Sequence, residues 1–339
     1  MMTTLWLAVV LLCLVMYVVL DGYDLGIGVA TLFERDDDRR RSMLELVAVA
    51  WDGNETWLVL LGVGLWAGFP VAFGALLPHA YLPLTVLLLA LAIRGVAVEM
   101  VSQRPPGHGW VRAFGVASLV AAFALGFTLG TLAVPIVLVN GIPAGGPAAF
   151  TWFSVLTGLV FTVGCTALGF GHLVHKLSGE HRRTAARGGL AASVLAAALF
   201  VAVLAASGVT EAPLDLATPG RVAALVGLLA FVAGGAIAAV VGFARAARHD
   251  RPDRLPTMAL SVAVVAAFLS LVAAHYPYFA PGLTVQAAVG PHNTLVFLLI
   301  GIGLNIPLVL GYNVFAHLAF RGRARERADA EVTEERTVA

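Results

Sequence analysis

Residues 3–32 read TTLWLAVVLLCLVMYVVLDGYDLGIGVATL and are followed at once by ERDDDRRR over 34–41. At a rise of ~1.5 Å per residue, about 20 apolar residues already cross the ~30 Å hydrocarbon core of a bilayer, so this run is long enough to span it. No Lys or Arg precedes the run, and no small-residue cleavage pattern precedes Asp21-Gly22-Tyr23-Asp24. It therefore reads as a retained first helix and not as a signal peptide. The rest of the chain has the same character: of 339 residues, 60% are hydrophobic and only 12% charged, a balance that needs lipid as solvent. A net charge of +1 offers no broad basic face for nucleic acid. Cys13 and Cys165 both lie inside apolar runs; they are too few and too far apart for a disulfide framework or a thiolate metal site, and read as small buried residues.

Working outward from the first run, spans are expected near 3–32, 43–69, 74–102, 112–139, 149–177, 187–208, 220–246, 256–279 and 292–320. Pro and Gly punctuate the connectors, as in Arg104-Pro105-Pro106-Gly107, Asn140-Gly141-Ile142-Pro143 and Pro281-Gly282. This predicts an all-α integral membrane protein of about nine transmembrane helices, with one polytopic helical domain over 1–322 and a polar cytoplasmic tail over 323–339.

Basic residues set the orientation. Arg35, Arg39, Arg40 and Arg41 follow span one; Arg104 and Arg112 follow span three; Lys176, Arg182, Arg183 and Arg187 surround the exit from span five. Arg245, Arg248, Arg251 and Arg254 follow span seven, and Arg321, Arg323, Arg325, Arg327 and Arg336 follow span nine. Nineteen of the 21 Lys and Arg thus fall on one set of alternate loops, against Arg221 on the other set and Arg94 within span three. By the positive-inside rule the N-terminus is expected outside and the C-terminus in the cytoplasm.

Charge inside spans is costly and marks candidate functional sites. Here it gathers in the first third: Asp21 and Asp24 in span one, Glu45, Asp52 and Glu55 with Asn54 in span two, Arg94 and Glu99 in span three. With the orientation above, Asp52 is expected about two turns into span two, roughly 10–15 Å beneath the cytoplasmic surface. That half of three consecutive helices is where a proton path from the cytoplasm would begin. The simpler account is that Asp24, Asp52 and Arg94 pair to hold the helices together, with Asp21 or Glu45 reaching water. For Asp21, Glu45 and Glu99, near span ends, that account serves as well. It is weaker for Asp52 and Glu55, one turn apart on one face, because one arginine cannot neutralise so many acids.

His172, His175, His275 and His317 could in principle ligate haem or metal, but they lie near predicted interfaces and form no midplane pair. Hydrogen-bonded structure is the preferred reading. Gly164, Gly169 and Gly171 in span five read as close helix contact of the small-xxx-small kind.

Three segments carry a resemblance. Asp21-Gly22-Tyr23-Asp24-Leu25-Gly26-Ile27-Gly28, then Trp51-Asp52-Gly53-Asn54-Glu55-Thr56-Trp57-Leu58, then Arg94-Gly95 with Glu99, resemble the hallmark segments of subunit II of cytochrome bd oxidases, the CydB family with its cyanide-insensitive relatives. Weaker similarity runs through Pro78-His79-Ala80-Tyr81 and from Asn305-Ile306-Pro307 to Tyr312, so that most of 5–322 is covered. The segment after Glu99, Met100-Val101-Ser102-Gln103-Arg104, departs from the family by lacking aromatic and basic character.

The resemblance implies a multi-pass subunit in a bacterial cytoplasmic membrane, paired with a larger subunit that ligates all the haems, b and d, oxidises quinol and reduces dioxygen to water. It implies proton transfer at Asp24 and Asp52, joined by Glu55, Arg94 and Glu99 on the same three spans, and oxygen access at Trp57. It leaves open a bound structural quinone and a small accessory membrane subunit, and implies no catalytic or metal-binding residue in this chain. Two other classes compete. A proton-coupled secondary transporter would suit the acids, but it calls for a polar midplane pocket between inverted repeats, and the second half of the chain has no matching polar pair of spans. A purely structural anchor is the other.

Overall fold

The computed structural model describes residues 1–48, 51–103, 108–132, 138–139, 142–143, 150–207, 219–249, 253–280 and 283–319. The expected polar tail over 323–339, and Arg104, Arg251 and Arg321 among the orienting basic residues, lie outside them. Helix α1 covers Met2–Thr31, followed by α2 (Asp37–Val47), α3 (Trp51–Gly68), α4 (Pro70–His79), α5 (Tyr81–Gln103) and α6 (His108–Thr131). After a two-residue strand pair come α7 (Trp152–Lys176), α8 (Gly179–Ser207), α9 (Pro219–Arg248) and α10 (Leu255–His275). A second small hairpin, Tyr278–Ala280 with Leu283–Thr284, leads through α11 (Val285–Ala288) to α12 (His292–Leu298) and α13 (Ile306–Ala319).

Among the described residues, eight helices are long and apolar enough to cross a membrane, and α2 with α3 form a ninth if that pair, bent by 48°, is one span. The expected helical membrane architecture is therefore present, with three departures. Span two is not one straight helix over 43–69: its first residues belong to α2, which ends at Val47, and the rest to α3, which begins at Trp51 and is bent by 48° against it. Span three does not start at 74, because Pro70 opens a separate short helix that stops at the Ala80 cap before α5 begins. Span nine changes pitch, with a π-helical stretch at Leu299–Gly303 between α12 and α13.

Helix α1 is the hub, lying against α3, α6 and α7, while α5 packs on α6, α8 on α7 and α9, and α10 on α9. Glycine sets its closest approach. A Cβ on Gly26 would stand 1.8 Å from the carbonyl oxygen of Cys165, and one on Gly169 would stand 2.3 Å from the carbonyl carbon of Gly26. The backbones of α1 and α7 therefore touch, as small-residue pairs permit in lipid-embedded bundles. At the opposite end Trp6 donates from Nε1 to the Gly64 carbonyl at 3.1 Å, which makes α1 and α3 antiparallel neighbours. These contacts bring Asp21 and Asp24 of α1 opposite the first turns of α3.

Candidate functional site

Arg94 is wholly buried on α5, and its Nη2 faces two carboxylates: Asp21 Oδ1 at 2.5 Å and Glu55 Oε1 at 2.8 Å. Asp21 is equally enclosed, while the Glu55 side chain keeps 24% of its surface. One guanidinium thus ties α1, α3 and α5 together from inside, with charge-assisted bonds of the strong kind. Asp24, one turn beyond Asp21, is buried as well and accepts from Asn54 Nδ2 at 2.8 Å. The same Asn54 nitrogen lies 3.1 Å from the Tyr23 hydroxyl and 3.4 Å from the Leu20 carbonyl.

On its open side Glu55 faces a groove of about 590 Å³ that Trp51, Leu58, Leu88, Gly95 and Glu99 also line. Glu99 is exposed on α5. The arrangement therefore has an interior, formed by Asp21, Asp24 and Arg94, and a mouth, formed by Glu55 and Glu99. Asp52 belongs to neither. It is exposed in the first turn of α3, one helical turn short of Glu55, and accepts from the Gly53 backbone N–H at 2.8 Å.

Among the described residues, four buried polar atoms on the same three helices have no hydrogen-bond partner: Asn54 Oδ1, Trp57 Nε1, and Arg94 Nε and Nη1. Donors and acceptors are both represented, which matters because such groups are costly to leave unmatched. Trp57 itself is fully enclosed, in an apolar cluster with Tyr17, Leu25, Leu87 and Leu91.

The sequence placed most of these residues together but missed two partners. The simpler account has Asp21 or Glu45 reaching water; Asp21 is instead the closest partner of Arg94, because α1 runs unbroken to Thr31 and leaves Asp21 well inside the helix. Its spacing of three from Asp24 was the available signal. Asn54 was noted only as polar, and is the group that holds Asp24. Glu45 instead meets Arg41 at 3.6 Å on the surface of α2.

The histidines are committed elsewhere. The His172 ring stacks on Tyr23, His175 Nε2 accepts from Arg254 Nε at 3.2 Å, and His275 Nδ1 is bonded to the Leu271 carbonyl at 2.9 Å. The side chain of His317 lies outside the described part.

Fold and site together define a polytopic helical membrane subunit organised around a buried guanidinium–carboxylate cluster. The profile of one family, cytochrome bd terminal oxidase subunit II, matches residues 2–320. The chain belongs to that family, and is a multi-pass bacterial membrane protein and a subunit of a terminal oxidase. It is 28% identical to the cytochrome bd ubiquinol oxidase subunit 2 of Bacillus subtilis (strain 168), over 95% of this chain and 97% of that one. The cytochrome bd-I ubiquinol oxidase subunit 2 of Escherichia coli (strain K12) is 30% identical over 38% of this chain and 35% of its own. The solved bd oxidase from Geobacillus thermodenitrificans shares the fold, with a TM-score of 0.73 over 95% of this chain and 99% of that one at 16% identity.

Proposed function

We propose that this chain is the smaller subunit of a cytochrome bd quinol oxidase in the aerobic respiratory chain. In this reading it supports a larger subunit that holds haems b and d, and delivers cytoplasmic protons toward the site of dioxygen reduction. The N-terminus lies outside and the C-terminus in the cytoplasm. The observation that carries the reading is the cluster itself: Asp21 and Glu55 share the guanidinium of Arg94, Asp24 is buried one turn from Asp21 on Asn54, and Glu55 opens to a groove. A structural tie needs one acid per arginine; three acids leave titratable capacity over.

Reduction of dioxygen consumes protons, and a free hydronium ion in a low-dielectric interior is expensive, so side chains must relay it. Glu99 and Glu55 would take protons at the groove, Asp52 would collect them at the head of α3, and Asp24 would hold them inside. Arg94 holds Glu55 and Asp21 in place without itself giving up a proton. Orphaned donors and acceptors of both kinds suit a relay in which water links the side chains. The apolar enclosure of Trp57 supports an oxygen route there, since dioxygen partitions into apolar surroundings.

The test is oxidase activity per haem in the purified complex for Asp24→Asn, Asp52→Asn and Glu55→Gln. Loss of a positioned proton carrier should slow turnover by roughly tenfold or more at near-normal haem content. Purely structural pairing predicts lost haem with normal activity per surviving complex. Unchanged activity per haem in all three variants would remove the cluster from the proton path.

A further inference from the structure

The Tyr23 and His172 rings lie face to face, with centroids 4.7 Å apart and planes only 7° from parallel. Tyr23 is the residue before Asp24, and its hydroxyl is within 3.1 Å of the same Asn54 nitrogen that holds Asp24 at 2.8 Å. An amide nitrogen carries two hydrogens. One is taken by Asp24; the other has the Tyr23 hydroxyl and, more distantly, the Leu20 carbonyl as acceptors. If the Tyr23 ring turned away, that second hydrogen would lose its nearer acceptor, and the carboxamide could rotate off Asp24. His172 closes one face of the Tyr23 ring, four residues before the end of α7.

We infer that His172 is a positioning residue for Asp24: by stacking on Tyr23 it fixes the tyrosine hydroxyl, and through it the Asn54 carboxamide that binds the Asp24 carboxylate. The inference rests on the proton-transfer reading of Asp24 for its effect on rate, but not for its geometry. Its foundation is the direct backbone contact of Gly26 with Gly169, which holds α1 and α7 in fixed register three residues from both Tyr23 and His172. What the stack requires of position 172 is a flat ring. Phenylalanine supplies one; alanine does not. Aromatic pairs contribute enough to bias a side-chain conformation by about two- to tenfold, and that is the slowing expected when the ring is removed.

The experiment compares His172→Ala and His172→Phe in the intact oxidase complex. Expected are near-normal haem content in both, turnover per haem lowered about two- to tenfold in His172→Ala, and recovery in His172→Phe. In a Tyr23→Ala background, His172→Ala should cost nothing further. High-resolution density for His172→Ala should show the Tyr23 ring displaced and Asn54 beyond hydrogen-bond reach of Asp24. The inference is overturned if the alanine variant retains both rate and geometry, if the phenylalanine variant is as slow as alanine, or if activity falls only in proportion to haem. Should Asp24→Asn leave the rate untouched, the proton reading fails by itself, and the Asn54–Asp24 separation in the His172→Ala density still decides the role of the stack.

Discussion

Replacing Arg94 by methionine removes the cation that pairs with Asp21 and Glu55, in a site where Asp21 and Arg94 are both completely enclosed. Both carboxylate partners, at 2.5 and 2.8 Å, lose their counter-charge together. Breaking a buried pair by deleting one member costs about 3–5 kcal/mol, because the remaining charge has no compensation. At ~1.4 kcal/mol per decade, this corresponds to roughly 140- to 3700-fold in the balance between assembled and unfolded subunit. Orphaned carboxylates neutralise by protonation, which sets a ceiling on the loss. The assay is retention of haem-bearing complex through a timed incubation at graded temperatures, comparing wild type, Arg94→Met, Asp21→Asn and the double variant. Arg94→Met should lose complex steeply, and adding Asp21→Asn should restore a large part of it, since the double variant buries one charge fewer. A single variant as durable as wild type, or a double variant worse than both singles, would refute the account of a buried pair. The sign of the coupling is the discriminating quantity, because a general packing defect makes the two changes additive.

Two further outcomes follow from the fold and the charge pattern. Gly26→Ala should weaken assembly by about 1–3 kcal/mol or more, since its Cβ would stand 1.8 Å from the Cys165 carbonyl oxygen; Gly62→Ala, with open space around it, serves as the control, and yield of intact complex from membranes is the measure. Single cysteines introduced beside Arg40, Arg183 and Arg251 should all react with a membrane-impermeant reagent from the cytoplasmic side only, and labelling of any one from outside would break the orientation.

Most of the fold was legible because hydropathy in a membrane protein is set by the solvent and not by tertiary detail. Helices α7, α9 and α10 lie within a few residues of the runs read from the sequence. What failed was continuity. The stretch 43–69 holds the last residues of α2 and all of α3, and hydropathy carries no record of the 48° bend between them, so a window over both sees a single span. The π-helical stretch at Leu299–Gly303 is equally invisible to periodicity, because one widened turn in an otherwise apolar run leaves the composition unchanged.

The site was legible to the level of residue type and helix, but not of pairing. That Asp24, Glu55 and Arg94 belong together followed from their shared depth; which acid meets the guanidinium depends on helix rotation, and a residue near a span end can face either way. Asp21 settles the point: the backbone contact at Gly26 fixes how α1 is turned against α7, and that rotation places Asp21 and Asp24 on the side facing α3 and α5. The same rotation places Tyr23 between Asn54 and His172. Glycines read only as helix contact thus select the partners of the charged residues: a shift of α1 by one residue would turn its faces by about 100°, carrying both carboxylates away from Arg94 and Asn54. Close contact between small residues and placement of buried charge are two consequences of one helix register, so a substitution that disturbs the first should be read at the second.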